Sequence, residues 1–372
     1  MIEFKLPSLG ADMDEGTLLT WQVKPGDSVK RGQIVAVVDT SKAAVDVEIW
    51  HDGIVQELRV QPGEKIPVGT ILATLQEVGE PATPALRSEP KIAAPTARRA
   101  ISPSARRRAQ ELGLDLSTLQ GSGAQGSVTL ADVEGAAPDR KKDMRRAIAA
   151  AMSRSKREIP HYYLIENITM SQALAWLQQH NDKQPITERL LSSVMLLKAV
   201  ALALRRTPEL NGFYRDGEFQ PSTAVHLGVA ISLRGGGLVA PALHDVGTKP
   251  LTQLMSELSD LVKRARAGSL RSSEMSDPTL TVTNLGDQSV TGVYGVIYPP
   301  QVALIGFGGI RVQPWVVEGK VQAVPIVCAT LAADHRVSDG HRGALFLAEL
   351  RELLQQPQSL ADTFQPLKES DA

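Results

Sequence analysis

Residues 23–38 read VKPGDSVKRGQIVAVV, and residues 60–75 read VQPGEKIPVGTILATL. The second run is a version of the first. Gly16, Val23, Pro25, Gly26, Val29 and Gly32 recur as Gly53, Val60, Pro62, Gly63, Ile66 and Gly69, each 37 positions further on. In both copies Pro-Gly punctuates short stretches in which apolar residues alternate, the pattern of half-buried strands joined by tight turns. Such a repeat is one small unit used twice. Residues 1–76 are therefore expected to form an all-β domain, a flattened two-sheet barrel in which each half supplies one small sheet around a shared core. Between the halves lies VVDTSKAAVDVE, residues 37–48. Apolar residues flank Lys42 at Val37, Val38, Val45 and Val47, which places this lysine on the hairpin joining the halves, between the small neighbours Ser41 and Ala43. A tight turn there holds its ammonium out in solvent.

The whole chain has 372 residues, 42% of them hydrophobic, with 40 basic side chains against 41 acidic ones. Length and composition fit a globular protein of several domains. The near-cancelling charge steers it to neither nucleic acid nor membrane, so electrostatic recognition must be local. No apolar run is long enough to span a bilayer. The opening Met-Ile-Glu-Phe-Lys-Leu alternates like a strand rather than reading as a secretory leader, and a cytoplasmic location is expected. The single cysteine, Cys328, sits in the apolar run VPIVCA and reads as a core thiol. No spacing of His, Cys or carboxylate residues fits a metal site.

Residues 77–99 carry Pro81, Pro84, Pro90 and Pro95 among alanines and polar residues, the composition of an extended, flexible linker. Residues 100–135 form a second, small α unit. Ser102 is placed to cap a helix that has Pro103 at its first position, and Thr129 to cap a second one after a glycine-rich loop. So small a unit suits docking better than catalysis. Arg106, Arg107 and Arg108 make it locally basic, which fits either an acidic protein surface or a solvated helix face. A short joint, 136–142, leads to a large domain over 143–372. There, helix-like segments at 187–205 and 250–266 mix with strand-like runs at 225–232, 279–283, 302–307 and 324–331, an α/β pattern.

Two places in this domain carry chemistry. The run 324–331 leads into Asp334-His335-Arg336, followed by Asp339-Gly340 and a helical pattern. A histidine at a strand end suits a general base, and Asp339 is close enough to fix the loop or orient the ring. On spacing alone, a lone histidine in a loop is more often merely solvated or structural. Upstream, Thr283 ends the run 279–283, where its hydroxyl could serve a developing oxyanion or merely a sheet.

Taken together, the chain resembles the dihydrolipoamide acyltransferase, or E2, component of 2-oxo acid dehydrogenase complexes, in module order and over nearly its full length. DTSKA is similar to the lipoylation turn, which implies lipoate amide-linked to Lys42; a biotin turn places its lysine between methionines. The run from Ser102 to Val133 resembles the peripheral-subunit-binding domain that grips the E1 decarboxylase or the E3 dihydrolipoamide dehydrogenase. DHRVSDG is similar to the His-x-x-x-Asp-Gly signature shared with chloramphenicol acetyltransferases, which implies that fold for the catalytic domain. The resemblance further implies transfer of an acyl group, acetyl by preference, to coenzyme A, with His335 as base, Thr283 on the oxyanion where many relatives carry serine, and Asp339 holding the loop. It assigns Arg145 to a CoA phosphate contact, and it implies homotrimers that build a core of 24 or 60 chains with active sites between subunits. A branched-chain or acetoin complex E2 and a non-catalytic E3-binding scaffold share these modules; retention of His335, Asp339 and Thr283 speaks against the scaffold.

Overall fold

The computed structural model describes residues 2–7, 13, 15–40, 44–76, 101–112, 116, 119–136, 140–233, 237–288 and 290–361. Its backbone forms two compact units that divide between Met144 and Arg145. Lys42 and the linker expected over 77–99 lie outside the described residues.

Among the described residues the first unit contains eight strands: β1 (Ile2–Lys5), β2 (Glu15–Trp21), β3 (Ser28–Val29), β4 (Ile34–Asp39), β5 (Ala44–Glu48), β6 (Gly53–Leu58), β7 (Lys65–Pro67) and β8 (Ile71–Gln76). They pair antiparallel in the orders β1-β8-β6-β3 and β7-β2-β4-β5. Here the expectation of one sheet per half is corrected, because each half gives two strands to each sheet. Gly26 and Gly63, at φ +97° and +91°, carry the chain from one sheet to the other, so that Gly26 N–H donates to Val55 O and Gly63 N–H to Leu18 O. A Pro-Gly turn signals that the chain bends, not which sheet it enters next. The sequence repeat survives in the pairing: Leu18 lies opposite Val38 as Val55 lies opposite Leu75, and each pair is followed by the same register shift. Leu18, Val38, Val45, Val47, Val55, Leu72 and Leu75 are buried and form the core of this barrel.

The same unit holds α1 (Pro103–Leu112) and α2 (Leu130–Ala136). Ala105 and Ala109 bury against Val128 and Val133. Ala105 N–H donates to Ser102 Oγ at 3.2 Å, the expected cap. Thr129 and Asp132 cap α2 reciprocally, with Thr129 N–H and Oγ–H donating to Asp132 Oδ2 at 2.8 and 2.9 Å and Asp132 N–H reaching back to Thr129 Oγ. Ser122 N–H joins them at 2.9 Å, and the Ser122 hydroxyl together with these donors holds the Asp132 carboxyl far below the usual range. Gly121 is required in the loop, since a Cβ there would stand 2.4 Å from Gly126 O.

From Arg145 the second unit comprises the rest of α3 (Arg140–Glu158), then β9 (His161–Thr169), α4 (Ser171–Asn181) and α5 (Ser192–Ala203). The short strands β10 (Gly212–Arg215), β11 (Glu218–Pro221), β12 (Leu227–Val229), β13 (Ile231–Ser232), β14 (Leu238–Val239) and β15 (Ala242–Leu243) follow. Next come α6 (Leu251–Ala267), β16 (Leu270–Arg271), α7 (Ser272–Ser276), β17 (Leu280–Asn284), β18 (Ala303–Phe307), β19 (Arg311–Val317) and β20 (Lys320–Asp334), and the unit closes with α8 (Gly340–Gln355) and α9 (Gln358–Ala361). The helix expected over 187–205 begins only at Ser192, because residues 186–188 wind as a 3-10 turn. A seven-stranded mixed sheet runs β15-β12-β17-β18-β20-β19, with β9 on the other edge of β20.

Alternate residues of β20, Val327, Ala329, Leu331 and Ala333, join Phe346 and Leu350 of α8 and Val194 of α5 in one core. Cys328, Thr330 and Ala332 point to the opposite face, where residues 290–298 cross the sheet as an extended strap. Gly306 and Gly308 let it approach: a Cβ at either would stand 2.3 Å from Val293 O or 1.9 Å from Thr291 O. β20 is longer than the expected 324–331, since it begins at Lys320 and pairs first with β19 and then with β18 and β9. The β19–β20 hairpin exposes Val312, Pro314, Val316, Val321 and Ala323 on one apolar face, with Val312, Val316 and Val321 71%, 64% and 73% exposed.

Candidate active site

His335 is the first residue beyond β20, and it is exposed. Its backbone N–H donates to Pro160 O at 3.0 Å, which ties the turn to the start of β9. Its ring lies edge-on to Tyr162, with centroids 5.3 Å apart. Tyr162 Oη shares a 2.9 Å hydrogen bond with Ser338 Oγ further along the same turn, and burial pushes its phenol upward in pKa. On either side of the histidine, Asp334 is 0% exposed and Arg336 wraps back onto it. Arg336 Nε donates to both carboxylate oxygens at 3.0 and 3.1 Å, Nη2 to Oδ2 at 2.6 Å and the backbone N–H to Oδ1 at 3.0 Å. This bond to the carboxylate raises the Arg336 pKa, and the guanidinium also covers Tyr214 at 3.9 Å from the ring centre. A charge-assisted fork of this kind fixes geometry as well as energy, so the turn that displays His335 is held rigidly.

Asp339 caps α8: its Oδ1 accepts Arg342 N–H at 3.0 Å. That bond, with help from His341 N–H, holds its carboxyl below the usual range. Asp339 thus stands at the head of α8, four residues after His335.

Thr283 lies elsewhere. It sits opposite Gly306 on β18, and Gly306 sits opposite Thr330 on β20, so Thr283 is level with a residue five positions before His335 and two strands away. Strand geometry puts the two about 17 Å apart along the sheet and about 10 Å across it, on the order of 19 Å in all. Within one protomer His335, Asp339, Tyr162 and the Asp334–Arg336 pair come together, and Thr283 does not join them. Arg145 is exposed on α3, and Arg106, Arg107 and Arg108 are exposed on α1. A cleft of about 340 Å³ opens beside the His335 turn, lined among others by Arg154, Tyr214, Arg215, Gln301 and Arg336. Sequence reasoning missed Tyr162, Ser338 and the clamp role of Asp334 and Arg336. The flanking of His335 by opposite charges in D-H-R was the one local signal available.

Among the described residues no group of three His, Cys, Asp or Glu side chains is placed to hold a metal, and no helix is long and apolar enough to cross a membrane. Cys328 is buried, and burial raises its thiol pKa.

The fold and this rigid histidine turn define an acyltransferase domain carried behind a lipoyl-type barrel and a two-helix docking module. The chain belongs to the 2-oxoacid dehydrogenases acyltransferase (catalytic domain) family, whose profile matches residues 139–361; the Biotin-requiring enzyme profile matches residues 2–75 and the e3 binding domain profile residues 99–134. It is similar to the dihydrolipoyllysine-residue acetyltransferase component of the pyruvate dehydrogenase complex of Zymomonas mobilis, at 29% identity over 96% of this chain and 98% of that protein. Among solved structures it is similar to the probable dihydrolipoamide acetyltransferase of Listeria monocytogenes, at 25% identity and a TM-score of 0.54 over 60% of this chain and 95% of that one. It is also similar to the Azotobacter vinelandii dihydrolipoamide acetyltransferase (E2p), at 27% identity and a TM-score of 0.55 over 58% of this chain and 90% of that one. The latter structure was determined to investigate the catalytic roles of a serine, a histidine and an asparagine that follow one another at intervals of 52 and 4 residues.

Proposed function

We propose that the protein is the E2 core of a 2-oxo acid dehydrogenase complex, transferring an acyl group from a dihydrolipoyl thioester to coenzyme A, with acetyl as the acyl group. The observation that carries this reading is the clamped, exposed His335, followed after four residues by Asp339 and preceded by Thr283 at the 52-residue interval seen in the Azotobacter enzyme. The names of the relatives supply the choice of acetyl.

A thiol is mostly protonated at neutral pH, so attack by CoA needs a base within reach. His335 takes the thiol proton as the sulfur attacks the acyl carbonyl. Thr283 donates a hydrogen bond to the oxyanion that forms. When the tetrahedral adduct collapses, His335 returns the proton to the departing dihydrolipoyl sulfur. Asp339 keeps the turn at the head of α8, and Arg145 contacts the anionic end of CoA. Asp39 opposite Ala44 at the end of the β4–β5 pair fits a lysine-bearing hairpin that joins these two neighbouring strands. A lipoyl group amide-linked to Lys42 supplies the dithiol that carries the acyl group. Tethering through residues 77–99 keeps its local concentration high at each site. Arg106, Arg107 and Arg108 are the contacts for E1 or E3.

Because Thr283 and His335 stand on the order of 19 Å apart in one chain, an active site needs two chains. The exposed apolar face of the β19–β20 hairpin provides a surface for a second copy, in homotrimers that build a 24-mer or 60-mer core in the cytoplasm. The test runs acetyl-, isobutyryl-, isovaleryl- and succinyl-CoA against free dihydrolipoamide. Preference for acetyl-CoA, its loss in an assembled His335→Ala protein, and its partial return when Thr283→Val and His335→Ala chains are mixed and reassembled are the expected results. No turnover by assembled wild type with any donor overturns the enzyme in favour of a scaffold.

A further inference from the structure

A histidine that the reaction does not use stands between the His335 turn and the strap. His161 is the first residue of β9, and it pairs with Asp334 in the sheet. Its ring makes two hydrogen bonds. Nε2 faces Ile297 N–H at 3.1 Å, and a backbone amide can only donate, so Nε2 must be the unprotonated acceptor. Nδ1 faces Ile159 O at 2.8 Å, and a carbonyl can only accept, so Nδ1 carries the proton. The two contacts together require the neutral, Nδ1-protonated ring.

Each contact secures a different part of the site. Ile159 O also takes His161 N–H at 2.9 Å, closing a tight turn about Pro160, and Pro160 O is the acceptor for His335 N–H at 3.0 Å. The next residue, Tyr162, presents its ring to His335. On the other side, Ile297 is fully buried in the strap with Ile159, Leu304 and Ala332. Its carbonyl is held by Ser155 Oγ–H of α3 at 2.6 Å, so His161 provides the remaining backbone bond of Ile297. Tyr163 stacks on the imidazole at 5.8 Å and meets Tyr294 of the strap edge-on at 5.9 Å.

We propose that His161 is a positioning residue for acyl transfer: its neutral ring locks the Ile159–Pro160–His161 turn that holds His335, and ties that turn to the 290–298 strap. Protonation turns Nε2 into a donor facing the Ile297 donor, and the tie is lost. The charged or titratable groups around the ring are Lys156 of α3, Asp334 of β20 with its Arg336 partner, Tyr163 of β9 and Tyr294 of the strap. Burial, with Lys156 adding to it and Asp334 opposing, favours the neutral form and lowers the pKa.

The inference rests on the transferase reading, and the test separates the two. In the full-length assembled protein, His161→Ala is expected to lower kcat on the order of 10-fold, the scale of a small misplacement of a reacting group, with the KM for CoA and for dihydrolipoamide unchanged. His161→Gln places Oε1 where Nε2 stood, keeps an acceptor for Ile297 N–H, and is expected to restore most of kcat. His161→Asn is too short to reach and is not. In wild type the acid limb of log kcat against pH gains one extra unit of slope below the usual histidine pKa, from protonation of His161; in His161→Gln that extra unit is absent. Hydrogen exchange of the peptide spanning Ile297 needs no activity: it quickens in His161→Ala and stays slow in His161→Gln. Unchanged protection in His161→Ala overturns the tie whether or not the protein transfers acyl groups. Where His161→Ala fails to fold, a wild-type slope in His161→Gln overturns the proposal instead.

Discussion

Replacing Arg336 by methionine removes the partner of a carboxylate that is 0% exposed. Asp334 would keep one donor, the backbone N–H of residue 336, and lose the three guanidinium contacts at 2.6 to 3.1 Å. Breaking a buried pair from one side costs about 3–5 kcal/mol, because the remaining charge stays in a poorly solvated place. The Arg336 side chain is 30% exposed, so water reaches the vacated edge and the low end, about 3 kcal/mol, applies. For a domain of this size each kcal/mol moves the midpoint by about 2–4 °C, which gives a fall of about 6–12 °C in the catalytic-domain transition. The assay is calorimetry of the assembled chain for wild type, Arg336→Met, Asp334→Asn and the double variant. In the double variant a neutral amide replaces the stranded charge, so it should melt above Arg336→Met by several degrees, a coupling the cycle reads directly. Transfer activity should fall with the single variant, as the His335 turn loses its anchor. A fall of less than about 2 °C, under 1 kcal/mol on the same scale, or strictly additive effects, would refute the claim that this pair holds the turn.

Other outcomes follow from the same contacts. Asp339→Asn should keep the α8 cap and the melting temperature, because an amide oxygen still accepts Arg342 N–H; Asp339→Ala should lower it, and since the folded carboxyl has a depressed pKa, its contribution should persist in acid until pH falls through that lowered value. Lys198 of α5 is fully buried, donates to Val246 O, Gly247 O and Lys249 O, and is pushed down from 10.5 to about 8 chiefly by burial. The unfolded chain therefore binds the extra proton between those values, so this lysine should make stability rise from pH 8 to 10.5, a rise that urea titrations should find missing in Lys198→Met. Val316→Glu with Val321→Glu places charge on the exposed hairpin face and should split the assembly, as read by light scattering, and abolish transfer with it; an intact, active assembly would remove that face from the interface.

Much of the architecture was legible because it rests on local rules. The 37-residue repeat, its Pro-Gly turns and its alternating apolar residues specify short strands joined by tight turns, and the structure keeps the repeat down to the position of the register shift. Ser102 and Thr129 cap the helices they precede, since capping involves residues three apart. His335 and Asp339 stood out because a strand end, a turn and a helix start lie within one short motif.

The exchange of strands between the two halves of the barrel was not legible, because a turn sets direction while pairing partners are chosen by the packing of both sheets on one core. Nor could spacing tell that Thr283 and His335 lie at opposite ends of one sheet; this follows from the registers of β17, β18 and β20. Tyr162 with Ser338, and His161 with Ile297, are separated by 176 and 136 positions, distances over which no local pattern carries information. By itself the sequence determined most of the segments that are strands and helices and named the candidates for the chemistry, since propensity, periodicity and capping act over a few residues. Only the tertiary structure decided how that chemistry is held, because a buried carboxylate, a tautomer or a clamped turn is defined by groups that folding alone brings within hydrogen-bond distance.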